Sequence, residues 1–422
     1  MIPGVVITGR GLITPIGLSL AENLESLKTG KSGITRIPFW QELNLDSQVA
    51  GAVNLDGFEC PAFDRKQLRF MPNSARMAVA AAYEAITEAG YTMETLPGSK
   101  MAVITGCGGS SYSEYYKSIT TYERTHSIRK ISPFSIPRIM PSSAVANLSL
   151  VYKIGGESYD VSCACTSGAV ALIQAFRLIQ SGAYDIVMAG GCEELCWQQA
   201  IGFGAMHALS NNFNEEPEKA SRPFDKQRTG FVLSEAAGIM ILESEAHAKA
   251  RGAKIRGRIS GYACNSNACD MVAPSREVSA AVMSDAIRNA HLQPSDIDYV
   301  NTHGTGTPVG DPVEVDALKS VFHENGASPM VNSTKSLTGH PIGAAGAIEL
   351  IFCTQMIEHS FVSPSINADD IEESMLWADI VRTPRLNVPV RHALSNSFGF
   401  GGSRNAGSCG ETGCLCALQW AP

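Results

Sequence analysis

Cys165 lies in the run Ser162-Cys163-Ala164-Cys165-Thr166-Ser167-Gly168, where a strand-like stretch ending Tyr159-Asp160-Val161 meets an apolar helical segment over 169–179. A cysteine at such a turn is placed to act as a nucleophile. The helix N-terminus carries partial positive charge that favours a thiolate. The N–H groups of the turn can hold an oxyanion. A single cysteine there is more often a core residue, so the reading needs company, and Cys163 reads as packing. Two of the nine histidines supply that company. His303 lies in Thr302-His303-Gly304-Thr305-Gly306-Thr307-Pro308, and His340 in Leu337-Thr338-Gly339-His340-Pro341-Ile342-Gly343. Turns of this composition put a side chain at the open end of a parallel sheet, where α/β proteins bind ligands. Imidazole there can donate a hydrogen bond or exchange a proton near neutral pH. Lys335 precedes His340, and Glu349 follows it inside an apolar helical stretch. A buried lysine and a buried glutamate each need the other, which predicts an ion pair.

The elements that hold these residues occur twice. In the first half, 101–105 reads as a strand running into Gly106-Cys107-Gly108-Gly109. The Cys165 strand and helix follow, Gly182 stops the helix, and 185–191 reads as a further strand. In the second half, 299–304 is a strand with a glycine turn, 343–352 a helix apolar on all sides, and 392–398 a strand entering a glycine loop. Alternating strands and helices imply βαβ units and a mainly parallel sheet. Helices apolar all round must be covered on both faces. The expectation is a five-layer α/β/α/β/α fold with two pseudo-symmetric halves. Residues 1–252 carry the cysteine, and residues 253–422 carry both histidines and the lysine, with the boundary in the basic stretch 249–254.

Together these features resemble the β-ketoacyl synthases of the thiolase-like superfamily. The matching segments are S-C-A-C-T-S-G (162–168), N-T-H-G-T-G-T-P-V-G-D (301–311), S-T-K-S-L-T-G-H-P-I-G-A-A-G (333–346) and S-N-S-F-G-F-G-G (395–402). Four motifs in order and spacing are highly specific. The stretches 190–197 and 270–275 look closest to the synthase I class of type II fatty acid synthesis, whereas Thr166-Ser167-Gly168 looks more like synthase II and the aromatic or polyene polyketide synthases. After Gly402 the chain departs from the family pattern with Ser403-Arg404-Asn405, which puts the final core strand and the pocket rim in question.

The resemblance implies a chemistry. Cys165 accepts an acyl chain from the phosphopantetheine arm of an acyl carrier protein, with the N–H groups of Cys165 and Phe400 as the oxyanion hole. His303 and His340 then stabilise the enolate formed from malonyl carrier protein as carbon dioxide leaves, and Lys335, paired with Glu349, shapes their field. Thr305 and Thr307 bind the pantetheine arm, Phe400 gates the acyl pocket and Phe203 lines it. Gly109 falls where the family limits pocket depth, and a glycine there predicts room for a medium or long chain. Arg65, Lys66 and Arg69, with Arg129 and Lys130, match carrier-docking positions. The expected partners are the carrier protein and a second subunit, either in a homodimer or in a heterodimer with a chain-length factor. The expected reaction is the decarboxylative condensation of fatty acid synthesis, with a type II polyketide ketosynthase as the alternative. A non-catalytic partner subunit would lack the cysteine, and a thiolase would carry a second one where Phe398-Gly399-Phe400 stands.

Composition narrows the field further. The chain of 422 residues is 44% hydrophobic and 18% charged, with 39 glycines, as for a large globular protein. A net charge of −8 gives no footing for nucleic acid. No long apolar run suggests a membrane span, and the N-terminus reads as a first strand rather than a leader, so the cytoplasm is expected. Twelve cysteines without a repeated C-x-x-C pair argue against zinc, and the implied chemistry needs no metal or organic cofactor.

Overall fold

The computed structural model describes residues 3–268 and 270–400, together with the backbone of 412–419. Eleven strands form its main sheet: β1 (Val5–Ile13), β2 (Ala102–Gly106), β3 (Ser158–Val161), β4 (Ile186–Glu193), β5 (Ala236–Ser244), β6 (Gly257–Ser266), β7 (Tyr299–Asn301), β8 (Met330–Asn332), β9 (Asp379–Ile380), β10 (His392–Ser397) and β11 (Thr412–Gln419). The helices that matter below are α1 (Asn73–Glu88), α2 (Tyr112–Thr125), α3 (Ser143–Tyr152), α4 (Ser167–Gln180), α5 (Trp197–Ala205), α6 (Arg276–Asn289), α7 (Gly310–Val321) and α8 (Ala345–His359).

The strand order exposes the internal repeat. From one edge inward it runs β3-β2-β4-β5-β1; from the other, inside the extra edge strand β9, it runs β8-β7-β10-β11-β6. Counted within each half, both are third-second-fourth-fifth-first. The outer pairings are parallel and the inner ones antiparallel in both halves. The two first strands, β1 and β6, pair antiparallel through Val5–Ile259, Val6–Arg258 and Ile7–Gly257, so the two expected sheets are joined by hydrogen bonds at this seam.

Helices α4 and α8 lie between the halves. α4 packs on β2 and β4 and also on β11, while α8 packs on β10 and also on β4 and β5. Outside them, α1 and α3 cover the first half, and α6 and α7 the second. This is the five-layer order the sequence predicts. All of β1 and β5 is buried, as strands covered on both faces must be. Every residue of α8 from Ala345 to Ile357 is buried. Each of Ile348, Leu350, Ile351 and Phe352 contributes about 1.5–3 kcal/mol by leaving water. The closeness of the central helices rests on glycine. A Cβ on Gly168 would stand 2.8 Å from the Gly343 carbonyl oxygen, and one on Gly346 would stand 2.7 Å from Ala169 Cβ. A larger residue at either position would push the two motifs apart.

One expectation needs adjusting. The last core strand is present despite the altered tail: β11 pairs with β10 over His392–Ser397 and with β6 over most of its length. The departure at 403–410 itself lies outside the described residues. The segment 124–138 holds the end of α2 and two short helical turns, Ile128–Lys130 and Ser135–Ile139. No helix among the described residues is long and apolar enough to cross a membrane.

Candidate active site

Each chemically interesting side chain sits beside a residue in the left-handed region. Ala164, φ 50°, precedes Cys165; Gly304, φ 34°, follows His303; Gly339, φ 71°, precedes His340. At Ala164 such backbone persists only where packing enforces it, whereas glycine adopts it freely; in each case it turns the neighbouring side chain out of the strand direction. The glycines are required for space as well. A Cβ on Gly304 would stand 2.5 Å from Thr302 Oγ1, and one on Gly339 would stand 2.9 Å from the Val232 carbonyl oxygen.

These turns converge. Cys165, His303, His340, Thr305, Thr307, Phe203, Phe398 and Phe400 line one cleft of about 440 Å³. The imidazoles of His303 and His340 meet edge to face, centroids 5.2 Å apart. His303 also packs on Phe398 at 5.7 Å and His340 on Phe231 at 5.3 Å. Backbone bonds fix His340: its N–H donates to the Val232 carbonyl at 2.7 Å, and its carbonyl accepts from Ser234 N–H at 3.1 Å. Nδ1 of both rings is buried without a hydrogen-bond partner among the described residues.

The electrostatics differ from the simplest sequence expectation. Burial pushes the Cys165 thiol up to about 12. The Lys335 charge pulls it back, Glu193 adds to the rise, and the N–H groups of Phe400 and Cys165 facing the sulfur lower it. Cys165 is therefore a thiol near neutral pH, and the helix terminus alone does not make it a thiolate. Burial, then Lys335, drives His340 well below the ordinary histidine range. His303 is lowered likewise by burial and Lys335, with His340 adding to it. Both imidazoles are neutral at physiological pH. Lys335 itself, 1% exposed, bonds Glu349 Oε1 at 2.5 Å. The arrangement offers a sulfur nucleophile under two N–H donors and two neutral imidazoles at its side.

The remaining predicted residues lie elsewhere. Gly109 does not line this cleft: the Tyr112 ring and the Gln199 amide stand within 3.0 Å of where its Cβ would be, so side chains fill the room the glycine leaves. Arg65, Lys66, Arg69, Arg129 and Lys130 are exposed. The fold brings their two segments together, with Phe70 edge-on to Phe134 at 4.9 Å and Arg138 Nε donating to the Arg69 carbonyl at 2.8 Å.

Comparison with known proteins accords with this geometry. Residues 3–248 match the N-terminal domain model of β-ketoacyl synthases, and residues 256–369 the C-terminal domain model. The chain belongs to the β-ketoacyl synthase family. It is 42% identical over 398 residues to 3-oxoacyl-[acyl-carrier-protein] synthase 1 of Haemophilus influenzae, covering 94% of this chain and 96% of that one. Among solved structures, a β-ketoacyl synthase from Burkholderia phymatum superposes over the full length of both chains with a TM-score of 0.90 at 31% identity. A ketosynthase in complex with a type II PKS acyl-carrier protein does so with a TM-score of 0.88 at 27% identity.

Three carboxylates of this β-ketoacyl synthase escaped the sequence reading. Glu314 on α7 accepts from His303 N–H and Gly304 N–H, both at 2.8 Å, and from Asn396 Nδ2 at 2.8 Å. Asp311 accepts from Gly306 N–H at 3.0 Å and Phe224 N–H at 2.9 Å. Glu193, at the end of β4, accepts from Gly108 N–H at 2.8 Å and Gly343 N–H at 3.0 Å, tying the two halves together beside the site. Burial raises its carboxyl to about 7, and the two N–H donors oppose the rise. The signal for all three was a carboxylate with no basic residue within four positions.

Proposed function

We propose that this β-ketoacyl synthase condenses an acyl group held on Cys165 with a malonyl unit, both delivered on the phosphopantetheine arm of an acyl carrier protein. One observation carries the reading: the Cys165 thiol and two neutral imidazoles face a single cleft. The Cys165 sulfur attacks the acyl thioester carbonyl and its proton passes to the departing carrier sulfur. The oxyanion is held by the N–H groups of Cys165 and Phe400. Malonyl carrier follows, its pantetheine arm against Thr305 and Thr307. His303 and His340 donate to the malonyl thioester oxygen as the C–CO₂ bond breaks, so the electron pair enters an enolate rather than a bare carbanion. The enolate carbon bonds to the acyl carbonyl, the C–S bond to Cys165 breaks, and the β-ketoacyl product leaves on the carrier. Neutral imidazoles suit this role because a charged ring would favour an ion pair with the malonyl carboxylate and so stabilise the ground state.

In this reading Lys335 with Glu349 sets the field and Phe203 lines the acyl pocket. Arg65, Lys66, Arg69, Arg129 and Lys130 form a basic face for an acidic carrier. The chain divides near residue 252 into the two halves, pairs as a homodimer or with a chain-length factor, and works in the cytoplasm without a resident metal or organic cofactor. Fatty acid elongation is the first choice, supported by the 42% identity to a synthase 1. Polyketide extension is the second, supported by the full-length likeness to a PKS ketosynthase. Intact-mass measurement tests the reading. An acyl adduct confined to Cys165, discharged by malonyl carrier with release of a β-ketoacyl product, is expected. No adduct from any acyl carrier would reject it.

A further inference from the structure

Ile342 holds a demanding backbone conformation beside the site. It is β-branched, 4% exposed and in the left-handed region at φ 36°, two residues after His340. A branched side chain is an outlier there and stays only where its surroundings enforce it. Its side chain shares one apolar cluster with Cys165 and Phe231, and the His340 ring packs on Phe231 at 5.3 Å. A shift of Ile342 would therefore reach the imidazole along the chain and through Phe231.

Part of what holds this turn comes from the other half of the chain. Gly343, the next residue, donates its N–H to Glu193 Oε2 at 3.0 Å, and Gly108 donates to the same oxygen at 2.8 Å. Glu193 is 1% exposed at the end of β4. The approach is tight: a Cβ on Gly343 would stand 2.2 Å from Gly108 N, and one on Gly108 would stand 2.6 Å from Ile342 Cγ2. The other carboxylate oxygen, Oε1, lies 3.7 Å from Cys107 Sγ. Removing Oε2 would leave two buried N–H groups without their acceptor, which costs more than the loss of a solvated bond.

We propose that Glu193 is a positioning residue for His340: its Oε2 clamps the strained Ile342 turn and so keeps the imidazole where the malonyl thioester oxygen arrives. This role rests on the condensation proposed above and adds a residue to it. Both N–H groups go to Oε2, so a glutamine that turns its oxygen to them and its NH₂ to Cys107 keeps the clamp. The charge of Glu193 acts separately. It adds to the rise of the Cys165 thiol, so its loss favours the thiolate.

The test separates the half-reactions. Wild type, Glu193→Gln, Glu193→Met, Ile342→Gly and the double variant Glu193→Met/Ile342→Gly are compared. Acylation of Cys165 by an octanoyl pantetheine thioester is read by intact mass, and decarboxylation by carbon dioxide release from malonyl pantetheine. Glu193→Met is expected to slow decarboxylation by about tenfold, while Cys165 acylates at least as fast as in the wild type. Glu193→Gln is expected to keep wild-type decarboxylation. Glycine takes this φ without strain, as Gly304 does at 34°. The methionine is therefore expected to cost less on Ile342→Gly than on the wild type. If Glu193→Met alone does not fold, a folded double variant is that same result and an unfolded one its opposite. The proposal is overturned by unchanged decarboxylation in Glu193→Met, by Glu193→Gln as slow as Glu193→Met, by equal cost in both backgrounds, or by equal loss of both half-reactions in Glu193→Met. Failure of the underlying reading looks different: the wild type itself would then show no adduct on Cys165.

Discussion

Lys335 Nζ and Glu349 Oε1 stand 2.5 Å apart, each side chain 1% exposed, next to the turns that carry His303 and His340. The same positive charge acts on three groups. It opposes protonation of His303 and of His340, and it lowers the Cys165 thiol. One buried cation therefore keeps two imidazoles neutral while it favours the Cys165 thiolate.

Removing that cation should move the pH dependence of decarboxylation. Burial and Lys335 hold both histidines well below 6.5, so the wild type should keep its activity down to pH values where a free imidazole would be charged. In Lys335→Ala the repulsion is gone and both histidine pKa values rise toward 6.5. The acid limb of malonyl decarboxylation should then move to higher pH. Identical acid limbs in the two proteins would show that Lys335 does not govern the imidazoles.

Glu349→Gln tests the other side of the pair. It leaves Lys335 charged in the interior with only a neutral amide for company. Loss of one partner from a buried pair costs about 3–5 kcal/mol, and the retained amide oxygen argues for the lower end. Urea unfolding should show an earlier midpoint with an unchanged slope. A midpoint equal to the wild type would mean that Lys335 finds its compensation elsewhere.

The thiol itself should behave as a buried one. With Cys165 raised to about 12, alkylation by iodoacetamide should keep increasing through pH 9 with no plateau. A plateau near neutrality would show that the helix terminus outweighs burial. Cys165→Ala should abolish condensation. Cys163→Ala should spare it, since Cys163 faces Cys165 across an isolated bridge and the cleft lining does not include it.

Much of this was legible before any coordinates. Cys165, His303, His340 and Lys335 announce themselves through turn motifs, because glycines and small residues at fixed offsets are what local backbone strain demands. The repeat was legible through two strand-turn-helix runs. Other features depend on tertiary neighbours, and no local pattern carries them. Glu193 reads as one acidic residue at a strand end until Gly108 and Gly343, 150 residues beyond Glu193, are seen to donate to it. Gly109 read as open space because a sequence does not say that the Tyr112 ring folds back over it. The direction of the Cys165 shift was missed for the same reason: the helix terminus is visible in sequence, the depth of burial is not.

Charge reversal tests the basic face. Replacing Arg65, Lys66 and Arg69 with Glu should raise KM for acyl carrier protein severalfold and flatten its dependence on salt, while turnover of a small pantetheine thioester stays unchanged. These side chains are exposed, so folding should not suffer. An equal loss with both substrates would place the defect in the site rather than in docking.

Glu314 gives the sharpest test of how the histidines are held. Its two oxygens accept from His303 N–H and Gly304 N–H, and the first also accepts from Asn396 Nδ2. A glutamine there keeps one acceptor and turns the other into a donor aimed at an N–H. Either His303 N–H or Gly304 N–H then loses its partner and the turn shifts. A hydrogen bond to a charged group contributes about 1.5–3 kcal/mol, so Glu314→Gln should lower kcat for condensation by about ten- to a hundredfold. Glu314 touches the backbone of the turn and is absent from the acyl-transfer step, so acylation of Cys165 should proceed nearly as in the wild type. The split between the two half-reactions is the decisive readout. If both fall together, the substitution has disturbed the whole cleft; if neither falls, the turn is held by its glycines alone, and Glu314 does not position His303.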